Sequence, residues 1–283
     1  MVVTMRLASF TVDVDRDVNL PRQGKREASS KCHEGDRDEV RFASSTRGLR
    51  LLVEMLEETG IKATFFFEGD TLLHVARLLD VRELLSKHEV ACHGVCHEDI
   101  TGEATGVAMT DLEISQMLDQ GRDMLRNIFA RDPVGFRAPY QHIDQRTLSL
   151  LPKKGFLYDS SITKEVNEED GSLHPWKVAG DLLEIPVARA RDREGRRIVS
   201  YLWPMHEGKR LPSDYEHLTA GVHSGVLVFA THSWHIVETY NRGLLSDASV
   251  QINLDNLRRV LERARDEGME FLPLEDIARA WKG

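Results

Sequence analysis

The sequence predicts an α/β fold in one domain: a mostly parallel sheet with helices packed outside it. Three observations carry this. Short apolar runs rich in β-branched and aromatic residues alternate with segments whose apolar residues recur at helical spacing. The polar residues of chemical interest (Asp13, Asp15, His93, His97, Arg137, Asp159 and His232) fall at or just past the ends of the predicted strands, the rim on which barrels build their sites. The chain has 283 residues and 41% hydrophobic content, enough for one large core, and α/β barrels of this length are common as single units.

The elements follow in order. Residues 7–14 read as a buried strand ending in acids. Residues 16–43 are polar and charged, with Pro21, Gly24 and Gly35, and are expected to form a long mobile or lid-like loop. A helix is predicted over 46–59, with Leu49, Leu52, Val53 and Leu56 on one face and Gly60 to end it. A strand over 61–67 precedes a helical pattern over 72–87. Residues 88–92 lead into a histidine motif at a strand end. Thr110 and Glu113 have capping-box spacing and open a helix to about residue 130. A short strand over 134–137, a helix over 144–151, and strands over 156–159, 182–187 and 226–230 come next. A helix over 251–267, a strand over 271–273 and a helix after Leu274 close the chain.

Composition excludes several classes. A net charge of −9 argues against nucleic acid or an anionic membrane as the main partner. No apolar run approaches a membrane span, and no signal peptide is visible, so a cytoplasmic protein is expected. The three cysteines are an odd number in a chain too large to need disulfide staples, and reduced thiols are expected. Cys92 and Cys96 interleave with His93 and His97 and are alternative ligands; Cys32-His33 carries no strong signal.

The organising stretch is His93-Gly94-Val95-Cys96-His97, read with Asp13-Val14-Asp15. Two imidazoles four apart and a carboxylate from elsewhere make a three-ligand site for a divalent ion, with a position left open for water. Neutral imidazole suits zinc, cobalt or nickel. Asp13 and Asp15, two apart on an extended strand, point to the same side and repel unless a cation sits beside them. Pro139 restricts Ala138 to an extended conformation, which aims Arg137 and Tyr140 reproducibly. The spacing alone leaves open which aspartate is the ligand and what His142 and His235 do; His235 reads best as a satisfied rim histidine.

D-x-D after the first strand, H-G-x-x-H, R-A-P-Y, Y-D-S-S and T-H-S-W-H, in this order, resemble the NodB-homology polysaccharide deacetylases, carbohydrate esterase family four. The resemblance runs from about residue 7 to 281 and implies one deacetylase-like domain over 1–283, a distorted (β/α)7-type barrel. It further implies hydrolysis of N-acetyl groups on an amino sugar or glycan using zinc or a similar ion. Carried over by position, it makes Asp15, His93 and His97 the metal ligands, Asp13 the general base and Arg137 the partner that holds it. It gives the Tyr140 backbone N–H to the oxyanion and makes His232 the general acid, with Asp159 as the carboxylate that tunes it and keeps it protonated. Pro139 and Trp234 would bind substrate, Trp234 walling the acyl pocket. Three departures stand out. Many members have adjacent aspartates where this chain has Asp13-Val14-Asp15, a tryptophan is missing downstream of Asp159, and Ala230 replaces a larger aliphatic residue. A cyclic-amide hydrolase of the allantoinase or imidase type on the same barrel is the alternative, and a non-catalytic metal-binding scaffold is a third reading. A homo-oligomer is compatible with the sequence.

Overall fold

The structure, a computed structural model, describes residues 5–32 and 39–281; His33 lies outside them. Its centre is a curled sheet whose inner strands are parallel. In chain order these are β1 (Arg6–Val14), β2 (Ala63–Phe67), β3 (Glu89–Cys92), β4 (Gly135–Phe136), β5 (Tyr158–Asp159), β6 (Leu182–Glu184), β7 (Val187–Arg191) and β8 (Ser224–His232). The neighbours run β6-β5-β4-β3-β2-β1-β8-β7. The two ends of this row belong to one stretch of chain, interrupted at Ile185-Pro186. Its first half pairs with β5, and its second meets β8 through Val187↔Val228 alone. Proline has no N–H to continue a ladder, which accounts for the break inside the strand predicted over 182–187. The result is a distorted barrel, as the sequence predicts.

Burial on both faces explains why the strands read as continuous apolar runs. Phe65, Phe66 and Phe67 are all inaccessible, as are Val226, Leu227, Val228 and Phe229. Each such side chain removed from water contributes roughly 1.5–3 kcal/mol before ordering costs. Outside the sheet lie α1 (Ala43–Thr59), α2 (Gly69–Val75), α3 (Asp111–Phe129), α4 (Pro212–Gly221), α5 (Asp247–Asp266) and α6 (Leu274–Ala280). The capping box at Thr110 and Glu113 forms, and Gly60 ends α1 with φ 69°.

Two expectations are corrected. The helix predicted over 72–87 is two pieces, α2 and Val81–Leu84, because the Asp80 side chain accepts from the Glu83 N–H and starts a second turn. The loop expected to be mobile or lid-like is packed against the barrel at both ends, while Gln23, Gly24, Lys25 and Glu27 are exposed. Asn19–Leu20 pairs with Ser29–Ser30, and the buried Arg16 lies against Glu68, its Nε donating to Oε1 at 2.8 Å. Asp17 accepts from the Ser44 and Ser45 N–H groups in the first turn of α1, at 3.0 and 2.7 Å. These contacts satisfy helix-end donors that the helix itself leaves open. No described helix is long and apolar enough to cross a membrane.

Helix α1 packs against the turn that follows β8, and Gly48 makes the approach possible: a Cβ there would collide with the Ser233 carbonyl. Gly48→Ala is therefore expected to destabilise the protein by about 1–3 kcal/mol through overpacking. Gly221→Ala, at the end of α4 with open space around it, should be neutral or slightly stabilising. Chemical denaturation of the two variants makes the comparison.

Candidate active site

Parallel register brings the predicted residues to one rim. Asp13 is the cross-strand partner of His232, Phe67 pairs with Cys92, and Cys92 and Asp159 each pair with Phe136. Each strand therefore delivers its next residue to the same end: Glu68 after β2, His93 after β3 and Arg137 after β4.

The loop after β3 folds over the start of α2, with Gly94 and Val95 carbonyls accepting from the Gly69 and Asp70 N–H groups. Gly94 has φ 74°, and a Cβ there would meet the Glu98 carboxylate, so only glycine fits. His97 itself adopts φ 53°, uncommon for a residue with a side chain. This turn presents both imidazoles inward. Donor atoms of Asp15, His93 and His97 lie within 4.8 Å of one another, and all three residues are buried. His97 Nε2 stands 3.1 Å from Asp15 Oδ2. His93 Nδ1 is 2.8 Å from the Arg137 carbonyl, so its N–H donates there and Nε2 is left free. Among the described residues, Asp15 Oδ1 is buried with no hydrogen-bond partner, and Asn19 Nδ2 donates to Oδ2 at 2.6 Å.

Electrostatics separates the two aspartates. Burial pushes the Asp13 carboxyl up, but Arg137, His93 and His232 outweigh it and hold it below the ordinary range. Arg137 donates to Asp13 Oδ1 at 2.8 Å and to Thr11 at 2.9 Å, binds Ser160 through its other nitrogens, and lies over the Phe66 ring at 4.2 Å. Asp15 has no such cation. Burial raises it well above the usual carboxylate range, reinforced by Asp13 and Glu68 against His232. Burial also lowers His93 and His97 to about 4, so both rings are neutral at pH 7. Two neutral imidazoles and an under-partnered carboxylate converging on one point are a donor set that fits a divalent cation.

A cavity of about 290 Å³ opens above this group, lined by Asp13, Asn19, His93, His97, Tyr140 and His232 among others. Its far wall is aromatic: Tyr201, Trp203 and Tyr240, with Ala230 at the base. Tyr140, in a left-handed conformation (φ 57°), reaches the cavity beside Ala138 and Gln141.

Several expected residues stand elsewhere. Trp234 does not line the cavity. It is fully buried in the turn pressed onto α1, and its indole stacks beneath the His235 ring at 3.6 Å. Pro139 is likewise buried and opens the short turn that carries Tyr140. Asp159 accepts from the Ser161 N–H and hydroxyl at 3.0 and 2.8 Å. Burial and the Asp159 charge push the Glu184 carboxyl well above the usual carboxylate range. Asp159 thus orders the Ser160-Ser161 segment that holds Arg137, and the ring partner of His232 is His235. Burial lowers His232 despite Asp15 and Asp13, so it is not held protonated as expected. His142 is tied to Asp99 at 3.3 Å. Cys92 faces the core, its thiol pushed up to about 12 by burial, and the Cys96 thiol donates to Asp70 at 3.3 Å. Neither belongs to the Asp15–His93–His97 group. Sequence reasoning missed Asn19, Tyr201, Trp203, Glu207 and Tyr240. Asn19 sat in a stretch read as loose loop, and the others carry no spacing signal.

Comparison with known proteins concerns the family and the fold. Residues 44–158 match the family described as polysaccharide deacetylase. A peptidoglycan deacetylase-like protein of Gibberella zeae is 33% identical over 164 residues, 56% of this chain and 45% of the relative. A peptidoglycan deacetylase of Helicobacter pylori is 26% identical over 115 residues, 41% of this chain and 37% of the relative. The chain thus spans less than half the length of these curated relatives. Among solved structures, a Mycobacterium smegmatis protein assigned to the polysaccharide deacetylases superposes with TM-score 0.63 at 21% identity, over 98% of this chain and 90% of that one. A family 4 carbohydrate esterase from Streptomyces lividans gives 0.52 at 14% identity, over 94% and 92%.

The proton on Asp15 makes a prediction about cation binding. A carboxyl raised in the metal-free site must release its proton when a cation binds, while the neutral histidines release none above about pH 5. Calorimetric zinc titrations in buffers of different ionisation enthalpy should count about one proton released per ion in the range where Asp15 is protonated, and affinity should climb as pH rises. His97→Ala should lose the ion while the fold, followed by circular dichroism, persists.

Residues 44–158 thus match the polysaccharide deacetylase family, and the fold of the whole chain is that of solved carbohydrate esterases.

Proposed function

We propose that this protein is a metal-dependent hydrolase that removes the N-acetyl group of an amino sugar or glycan. The observation that carries the reading is the placement of Asp13, paired with Arg137, and His232 on adjacent strands beside the Asp15–His93–His97 group, in one aromatic-walled cavity. The matched relatives are named for deacetylation, which favours this reading over the cyclic-amide one.

Asp15, His93 and His97 would hold the ion, with zinc as the best match to two imidazoles and a carboxylate. When bound, such an ion polarises an amide carbonyl and acidifies a water. The chain's own residues do the rest. Asp13, kept ionised by Arg137, accepts the proton of the attacking water. The Tyr140 backbone donates toward the carbonyl oxygen as negative charge develops there. His232 delivers a proton to the departing amine, which is a poor leaving group without one. Because the resting His232 ring is neutral, it must first gain that proton. Asp13, its cross-strand partner, is the nearby group that collects one during attack. The aromatic wall formed by Tyr201, Trp203 and Tyr240 suits the apolar face of a sugar ring, and Ala230 leaves room beside the acyl group.

Zinc-loaded protein should release acetate from N-acetylated amino sugars or their oligomers; failure across soluble and lipid-linked panels would refute the reading. Asp13→Asn and His232→Ala should each lower turnover by about 10²–10⁴ with the ion retained. Loss of the ion from Asp13→Asn, measured by elemental analysis, would exchange the roles of the two aspartates.

A further inference from the structure

The histidine taken for a satisfied rim residue is the centre of a buried chain of three side chains. His235 Nδ1 lies 3.2 Å from His232 Nδ1, and His235 Nε2 lies 3.2 Å from Glu207 Oε1. Glu207 caps the C-terminal end of the short helix Trp203–His206 and has no exposed side-chain surface. Its Oε1 also accepts the Tyr240 backbone N–H at 2.6 Å, and Oε2 accepts from Asn241 at 3.1 Å. The His235 ring is clamped between Trp203, at 5.5 Å and 13°, and Trp234, at 3.6 Å and 27°. It has no surface exposed.

The direction of the hydrogen bonds follows from this packing. A backbone N–H can only donate, so Glu207 acts as acceptor, and His235 Nε2 must be the nitrogen that carries hydrogen. Burial, followed by His232 and His206, keeps the His235 ring far below the usual range and so neutral. A neutral ring with Nε2–H has a bare Nδ1. His232 Nδ1 must then donate to it, which leaves His232 Nε2 bare and facing the Asp15 side, 4.0 Å from Oδ2.

We propose that Glu207 and His235 are positioning residues that lock His232 in the Nδ1–H tautomer and aim its Nε2 at the site, where it receives and passes on the leaving-group proton. This rests on the deacetylase reading for the proton's destination, but the tautomer itself does not. In the reaction His232 Nε2 gains one proton and gives one to the amine nitrogen as the C–N bond breaks, while Nδ1–H stays with His235 throughout.

Two measurements test it. Long-range ¹H–¹⁵N spectra of histidine-labelled protein, metal-free and zinc-loaded, should show His232 with Nδ1 protonated and Nε2 bare; the opposite tautomer in the wild type would overturn the proposal. His235→Asn offers an oxygen near the place of Nδ1 and should retain that tautomer. His235→Gln mimics only Nε2 and should lose it. In kinetics, His235→Gln should reduce kcat on an N-acetylglucosamine oligomer at least about tenfold more than on p-nitrophenyl acetate, whose leaving group needs no proton. His235→Asn should recover part of that difference. Equal losses on amide and ester would mean that His235 only supports the fold there, and would also overturn the proposal. If the wild type releases no acetate from any sugar, the deacetylase reading fails and the spectra still decide the tautomer.

Discussion

Everything at the rim depends on a guanidinium with no exposed surface. A buried cation is tolerated only when its donors are satisfied and its charge is matched. Arg137 meets that demand by binding Asp13 and Thr11 on β1, the Ser160 segment after β5, and the face of Phe66 on β2. Its own carbonyl fixes the His93 ring. One side chain and one peptide group therefore tie together the ends of β1, β2, β3, β4 and β5. The hydrogen bonds from Ser161 to Asp159 are part of the same arrangement, since they order the segment on which Arg137 rests.

The fates of the two aspartates follow from that placement. Only Asp13 receives the guanidinium, so it stays ionised inside the protein, whereas Asp15 meets an amide and a neutral ring and resists losing its proton. Like charges so close cannot both persist in a low dielectric without a counter-charge. The guanidinium supplies one; the geometry around Asp15 is suited to a second from a bound cation. The segment after Asp15 is buried as well: Asn19 lines the cavity, and the Arg16 charge is taken up by Glu68.

Legibility in the sequence tracked the range of the interactions. Local signals were readable: the apolar strand runs, the Thr110–Glu113 capping box, Gly60, and the spacing of His93 and His97. Contacts between distant segments were not. Residues 160–181 and 190–221 carried no clear period, yet they supply the strand Trp176–Ala179, α4, and the side chains of Tyr201, Trp203 and Glu207. Trp234 was misplaced because adjacency to His232 in sequence does not set its direction; the turn against Gly48 sends the indole inward. Asp159, which the resemblance implies would tune His232, lies against Ser161.

By itself, the sequence determined the α/β class, the strand ends that carry chemistry, and the residue types that converge there, because periodicity and turn chemistry act over a few residues. Only the tertiary structure decided which carboxylate is neutralised by Arg137, which residues wall the cavity, and that His232 leans on His235 and Glu207. Those outcomes rest on desolvation and on pairing between segments as far as 124 residues apart, and no local pattern encodes them.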